Sequence, residues 1–181
     1  MLRNIYIVAA KRTPFGSFGG SLSHLSATDL ATESTKAAIA SAPNLNPKKI
    51  DSIYVGNVIQ SSKDAAYLAR HVGLRSDIDI TKPALTINRL CGSGFESVHL
   101  GADDIQLGRS DIVVCSGTEN MTNAPFCLEG NMARFGGVKL GNDLKLYDSL
   151  WSGLTDSYAG IPMGVTVRRK TNIMSFLFIF I

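Results

Sequence analysis

Over residues 1–117 short apolar runs alternate with segments of helical period, and this alternation constrains the fold more than any other feature of the chain. Residues 4–10 (NIYIVAA), 51–60 (DSIYVGNVIQ), 84–88 (ALTIN) and 111–115 (DIVVC) read as strands, continuous in apolar character as buried strands are. Between them, Ser26-x-x-Asp29 has the pattern of a capping box, predicting a helix to about Ala42 that stops before Pro43 and Pro47. Its expected buried stripe is Leu30, Ala31, Ala37, Ala38 and Ile39. Two more helices are expected over residues 64–73 and 92–107, with Gly108 ending the second. Strands alternating with helices imply an α/β layered sheet with parallel crossovers. The loop at residues 13–20 (TPFGSFGG) reads as a plain turn, since it matches neither phosphate-binding glycine pattern.

After Gly117 the style changes: residues 118–163 lack a clear period and are rich in Gly, Asn and Asp, as a functional loop or subdomain would be. The tail changes again. It carries the basic run Arg168, Arg169 and Lys170, has no acidic residue, and ends SFLFIFI, an uncharged, β-prone segment. The expected division is therefore 1–117, 118–163 and 164–181.

Those three basic residues account for the whole net charge of +3 in this chain of 181 residues. A neutral body with one basic triplet argues against a nucleic-acid partner, which requires a patch or stripe. No apolar run approaches the roughly 20 residues of a membrane span. The odd count of three cysteines, with no secretory signal read in the first residues, predicts free thiols in a reducing compartment.

The most informative segment is residues 84–96, ALTINRLCGSGFE. A strand ends near Asn88 and Cys91 falls where a helix begins, a place where orphan amides and the helix dipole favour thiolate. Gly92 and Gly94 remove bulk around the sulfur, and the Cys91 N–H is placed to hold a developing oxyanion. On geometry alone two readings stand: a nucleophile, or a small residue buried at a tight turn. Cys115, inside an apolar run, reads as core, and Cys127 has no assigned role. His99 lies about two turns (~12 Å) along the same helix from Cys91, too far to act as its base. His24 and His71 read as structural. No C-x-x-C pair exists and the histidines do not cluster, so no metal is expected.

The chain resembles the N-terminal part of a thiolase. The segments that carry the resemblance are residues 8–23 (VAAKRTPFGSFGGSLS), 50–62 (IDSIYVGNVIQSS), 67–75 (YLARHVGLR), 83–97 (PALTINRLCGSGFES), 111–125 (DIVVCSGTENMTNAP) and 141–156 (GNDLKLYDSLWSGLTD). They stand in family order through about residue 163. LCGSGFES and DSLWSGLTD most resemble the mitochondrial 3-ketoacyl-CoA branch of that family.

The resemblance implies an α/β fold that is the N-terminal half of the thiolase architecture, a mixed, mostly parallel sheet with helices on both faces. It implies acyl transfer: cleavage of a 3-ketoacyl-CoA by coenzyme A through an acyl thioester on Cys91. Acetoacetyl-CoA thiolysis, or a non-catalytic truncated form that pairs with a full-length thiolase, are its alternatives. Coenzyme A is then a co-substrate, with no permanently bound cofactor. Residues 61–75 and the third strand resemble parts of a dimer interface, so a homodimer or homotetramer is expected of a full-length member. A mitochondrial location follows by resemblance, with a cytoplasmic one as its alternative. The family's second half supplies an activating histidine in a G-H-P motif, a second cysteine in a C-x-G motif and an asparagine that organises an oxyanion hole. The resemblance reaches none of these, so the chain alone is expected to be inactive.

Overall fold

A computed structural model describes residues 3–136 and 145–173, without the side chains of Met132 and residues 169–173. The apolar end at residues 174–181, expected to be β-prone, lies outside the described residues, as does the start of the expected 141–156 segment. The chain forms two compact units, Met1–Ala124 and Pro125–Ile181.

The first unit holds a parallel sheet of three strands, β1 (Ser52–Gly56), β2 (Ala84–Ile87) and β3 (Val113–Gly117), in the order β2-β1-β3. In register, Gly56 lies beside Ile87 on one side and Gly117 on the other. Its helices are α1 (Ala27–Ser41), α2 (Leu68–Arg75) and α3 (Ser93–Gln106). The period of two along β1 separates two different faces. Ile53 and Val55 point into an apolar core with Ala27, Ala31, Leu68, Ala69 and Val72 of α1 and α2. Ser52, Tyr54 and Gly56 face α3, whose buried stripe is Ser93, Ser97, Gly101 and Asp104. That interface is built from small and polar groups. Tyr54 donates to Asp104 Oδ2 at 2.6 Å, and burial together with this carboxylate pushes the phenol up to about 12.

The expected capping box is present: Ser26 Oγ accepts the Asp29 N–H at 3.0 Å and Asp29 Oδ2 accepts the Ser26 N–H at 2.8 Å. The buried stripe of α1 is not the expected one. Thr28, Thr32 and Thr35 are buried beside Ala27 and Ala31, while Ala37 is exposed. The Thr32 hydroxyl donates to the Thr28 carbonyl at 2.7 Å, so this hydroxyl is satisfied inside the helix and can pack as a methyl-bearing group.

Residues 4–10 are a second correction, since they form no strand. A strand exists only through a neighbour's hydrogen bonds, and among the described residues the sheet ends at β3. Tyr6, Ile7 and Val8 are 75%, 84% and 67% exposed in consequence. The fourth expected strand starts two residues late, at Val113, because Asp51 Oδ2 takes the N–H groups of Asp111 and Ile112. The expected helix at 64–73 divides into a 3₁₀ turn, Ala65–Tyr67, and α2.

The second unit pairs β4 (Phe126–Leu128) antiparallel with β5 (Leu146–Asp148), and β6 (Thr155–Asp156) with β7 (Ile161–Pro162). Its helices are α4 (Gly130–Phe135), α5 (Ser149–Leu154) and α6 (Met163–Ile173). No helix among the described residues is long and apolar enough to cross a membrane.

Candidate active site

The parallel sheet sends the C-terminal ends of β1, β2 and β3 to one edge, the side on which open α/β sheets carry their sites. Cys91 lies there, in the turn between β2 and α3, and is exposed. The turn is tightly specified. Leu90 has a φ of +48°, a left-handed conformation that costs a branched residue free energy and persists only where its surroundings impose it. Leu90 N–H donates to Asn88 Oδ1 at 3.0 Å, and Gly92 N–H to the Arg89 carbonyl at 3.1 Å. Ser93 closes the turn from the other side. Its hydroxyl accepts the Arg89 N–H at 2.8 Å and donates to the Leu90 carbonyl at 2.6 Å. Cys91 thus follows a strained position between a strand and a helix, and such strain clusters at functional sites.

The helix start sits this close to the strand ends because two glycines permit it. A Cβ on Gly56 would lie 2.6 Å from the Ser93 carbonyl carbon, and one on Gly117 would lie 3.4 Å from Gly94 Cα. Of the two glycines flagged in the motif, Gly94 would carry a side chain into open space, so nothing crowds that side of the turn. Gly56 and Gly117 lie in separate strands, and no local pattern marks them.

Glu119 ties the strand ends together. Its Oε2 accepts the Val58 N–H at 2.9 Å, and its Oε1 accepts the Ile59 N–H at 3.1 Å and an Asn57 Nδ2 hydrogen at 3.0 Å. Desolvation raises the carboxyl's pKa above its ordinary value in spite of these three donors. Val58 in turn offers its carbonyl to Asn88 Nδ2 at 3.2 Å. Asn88 and Glu119 both fall inside segments that resemble the family, but sequence reasoning singled out neither.

The other candidates belong to other elements. Cys115 is half-buried in β3 against Gly101, and burial pushes its thiol up to about 11. Cys115-Ser116-Gly117 spells C-x-G by letter, yet it is the end of a core strand and its thiol is a poor proton donor or acceptor near neutral pH. Cys127 belongs to the second unit, in β4. His71 Nδ1 lies 3.1 Å from Asp64 Oδ2, and the ring stacks on Tyr67 with centroids 5.8 Å apart. His99 is on α3 with its Nδ1 3.9 Å from Glu96 Oε2, and Glu96 also takes the Arg89 guanidinium. His24 is exposed. A cavity of about 590 Å³ in the first unit is bordered by Arg12, Phe15, Leu30, Val98, Cys115 and Thr118, and Cys91 does not line it.

Comparison with known proteins gives consistent relatives. The family described as thiolase, N-terminal domain, matches residues 5–175, two residues past the end of α6. The human mitochondrial 3-ketoacyl-CoA thiolase is 53% identical over 169 residues, covering 93% of this chain and 42% of the relative. An acetyl-CoA acetyltransferase from Saccharomyces pastorianus is 40% identical over 170 residues, again 93% of this chain and 42% of the relative. The crystal structure of the human mitochondrial enzyme in complex with CoA superimposes with a TM-score of 0.81 at 50% identity, over 90% of this chain and 42% of that one. The chain therefore spans about two fifths of the length of these relatives.

Proposed function

The chain belongs to the thiolase family, and we propose that it supplies that family's acyl-accepting nucleophile, Cys91, for transfer between a 3-ketoacyl-CoA and coenzyme A. The single observation that carries this reading is the exposed Cys91 behind a left-handed Leu90, at the C-terminal edge of a parallel sheet. The substrate class follows from the relatives, among them the human mitochondrial 3-ketoacyl-CoA thiolase, whose crystal structure holds CoA.

In the cleavage direction the Cys91 sulfur attacks the 3-keto carbon and the oxygen takes the negative charge. The N–H groups of Gly92 and Ser93 are directed back to Arg89 and Leu90. The Cys91 N–H is the amide of this turn we assign to the oxyanion. Collapse breaks the C2–C3 bond. The C2 carbanion takes a proton and leaves as acetyl-CoA, while the shortened acyl group stays on sulfur as a thioester. The thiol of a second coenzyme A then takes that acyl group, and its proton returns Cys91 to the thiol.

Two proton transfers are needed, and among the described residues no histidine is hydrogen-bonded at the turn to serve as their base. His71 is paired with Asp64 and His99 lies along α3 beside Glu96. Slow acylation of Cys91 without measurable turnover is therefore the expected behaviour of the 181-residue chain, since general acid–base help is worth about 10²–10⁴-fold in each half-reaction. We infer a mitochondrial location from relatives named as mitochondrial thiolases, and full turnover and dimer or tetramer assembly of a full-length family member from the resemblance alone.

The test is incubation with acetoacetyl-CoA followed by peptide mapping. One acetyl group on the Cys91 peptide, absent in Cys91→Ala, is the expected result. Acetylation of Cys115 or Cys127 in its place, or CoA-dependent turnover that survives Cys91→Ala, would overturn the reading.

A further inference from the structure

We propose that Glu119 is a positioning residue for Cys91, acting through the peptide that joins Val58 to Ile59 and through the Asn88 side chain. The inference rests on the reading of Cys91 as nucleophile.

The geometry is a chain of four amide groups running head to tail from one carboxylate. Glu119 Oε1 accepts the Ile59 N–H at 3.1 Å. The carbonyl of that same peptide, Val58 C=O, accepts from Asn88 Nδ2 at 3.2 Å. The other end of the Asn88 amide, Oδ1, accepts the Leu90 N–H at 3.0 Å. The carbonyl of that peptide, Arg89 C=O, accepts the Gly92 N–H at 3.1 Å. Each amide is polarised in the same sense by the one before it, and such chains strengthen one another. A carboxylate at the accepting end gives the chain its direction, because charge-assisted bonds are the stronger ones.

The relay ends on the two peptides that flank the Leu90–Cys91 peptide. One carries the Leu90 N–H and the other the Gly92 N–H. The peptide between them carries the Cys91 N–H assigned to the oxyanion. Fixing both neighbours fixes where that N–H points, and it holds Leu90 in its left-handed conformation. Asn57 already ties the three strand ends together. Its N–H donates to the Ile87 carbonyl at 3.0 Å and its Nδ2 to the Thr118 carbonyl at 3.0 Å. Glu119 adds a half-buried carboxylate, a costly group for a tie that neutral amides could make.

Two rate constants for Cys91 separate a positioning role from a structural one. Acylation by acetoacetyl-CoA needs an oriented oxyanion donor, whereas alkylation by iodoacetamide needs only an accessible thiol. Glu119→Ala is expected to slow acylation about fivefold, the worth of one net hydrogen bond. Alkylation should stay within about twofold of the unaltered chain. Asn88→Asp keeps the acceptor for Leu90 but loses the donor to Val58, cutting the relay in the middle. In that background Glu119→Ala should slow acylation no further.

Equal slowing by Glu119→Ala in both backgrounds, or parallel loss of acylation and alkylation, overturns the proposal. Glu119→Gln, which retains one acceptor oxygen, carries the same comparison where the alanine variant does not fold, with a smaller expected effect of about twofold. An unaltered chain whose Cys91 alkylates but never acylates would overturn the nucleophile reading itself, and this inference with it.

Discussion

Gly56 and Ser93 approach so closely that a Cβ on the glycine would stand 2.6 Å from the serine carbonyl carbon and 2.8 Å from its oxygen. The contact joins the end of β1 to the first turn of α3, and it sets how near the Cys91 turn lies to the strand ends. Backbone cannot retreat as a flexible side chain would. Gly56→Ala is therefore expected to cost at least about 1–3 kcal/mol, the usual penalty of overpacking. Urea denaturation checks this. A stability within 0.5 kcal/mol of the unaltered chain, on the scale of an ordinary surface change, would show that α3 moves freely over the sheet.

The three cysteines should separate by reactivity. Cys91 is exposed, Cys115 is half-buried with its thiol pushed up to about 11, and Cys127 is partly covered in β4. Limited iodoacetamide at pH 7.5, read by peptide mapping, should modify Cys91 first and Cys115 last. Cys115 labelling at the rate of Cys91 would mean that the α3–β3 interface opens readily.

Leu90 is 55% exposed, so its side chain contributes little packing, while its φ of +48° carries a backbone cost. Glycine removes that cost, set at roughly 1–2 kcal/mol per left-handed residue, although it adds chain entropy to the unfolded state. Valine, branched at Cβ, suits the conformation less well than leucine. Thermal melts should rank Leu90→Gly at or above the unaltered chain and Leu90→Val below it. The reverse order would show that the turn is not left-handed in solution.

Acid should act partly through Asp64. The Ser62 hydroxyl at 2.6 Å is the main cause that holds its carboxyl at about 2, with His71 adding to it, against an ordinary value of 3.8. A carboxyl lowered on folding stabilises the native state above its unfolded pKa, and the contribution fades as pH falls through the folded one. The stability difference between the unaltered chain and Asp64→Asn should thus shrink between about pH 4 and 2. A difference that stays level down to pH 2 would show that Asp64 is not ionised in this arrangement.

The capping box at Ser26 and Asp29, the ends of β2 and α3 and the place of Cys91 between them were all legible in the sequence, because each is local. A cap, a turn and a helix start depend on residues within a few positions of one another. The order β2-β1-β3, the α3 stripe of Ser93, Ser97, Gly101 and Asp104, and the approach of Gly56 to Ser93 were not legible. They depend on which elements meet. Residues 4–10 show the same limit from the other side: the run has strand composition, but pairing makes a strand, and here it has no partner among the described residues.

Taken alone, the sequence determined the α/β alternation, the thiolase resemblance and the cysteine worth testing. The tertiary structure decided how that cysteine is held. Glu119, Val58, Asn88 and Leu90 come from three separate loops, and Asn57 ties the strand ends beside them. Hydrogen bonds between loops distant in sequence form only once parallel strands carry their C-terminal ends to one edge. No spacing along the chain encodes them.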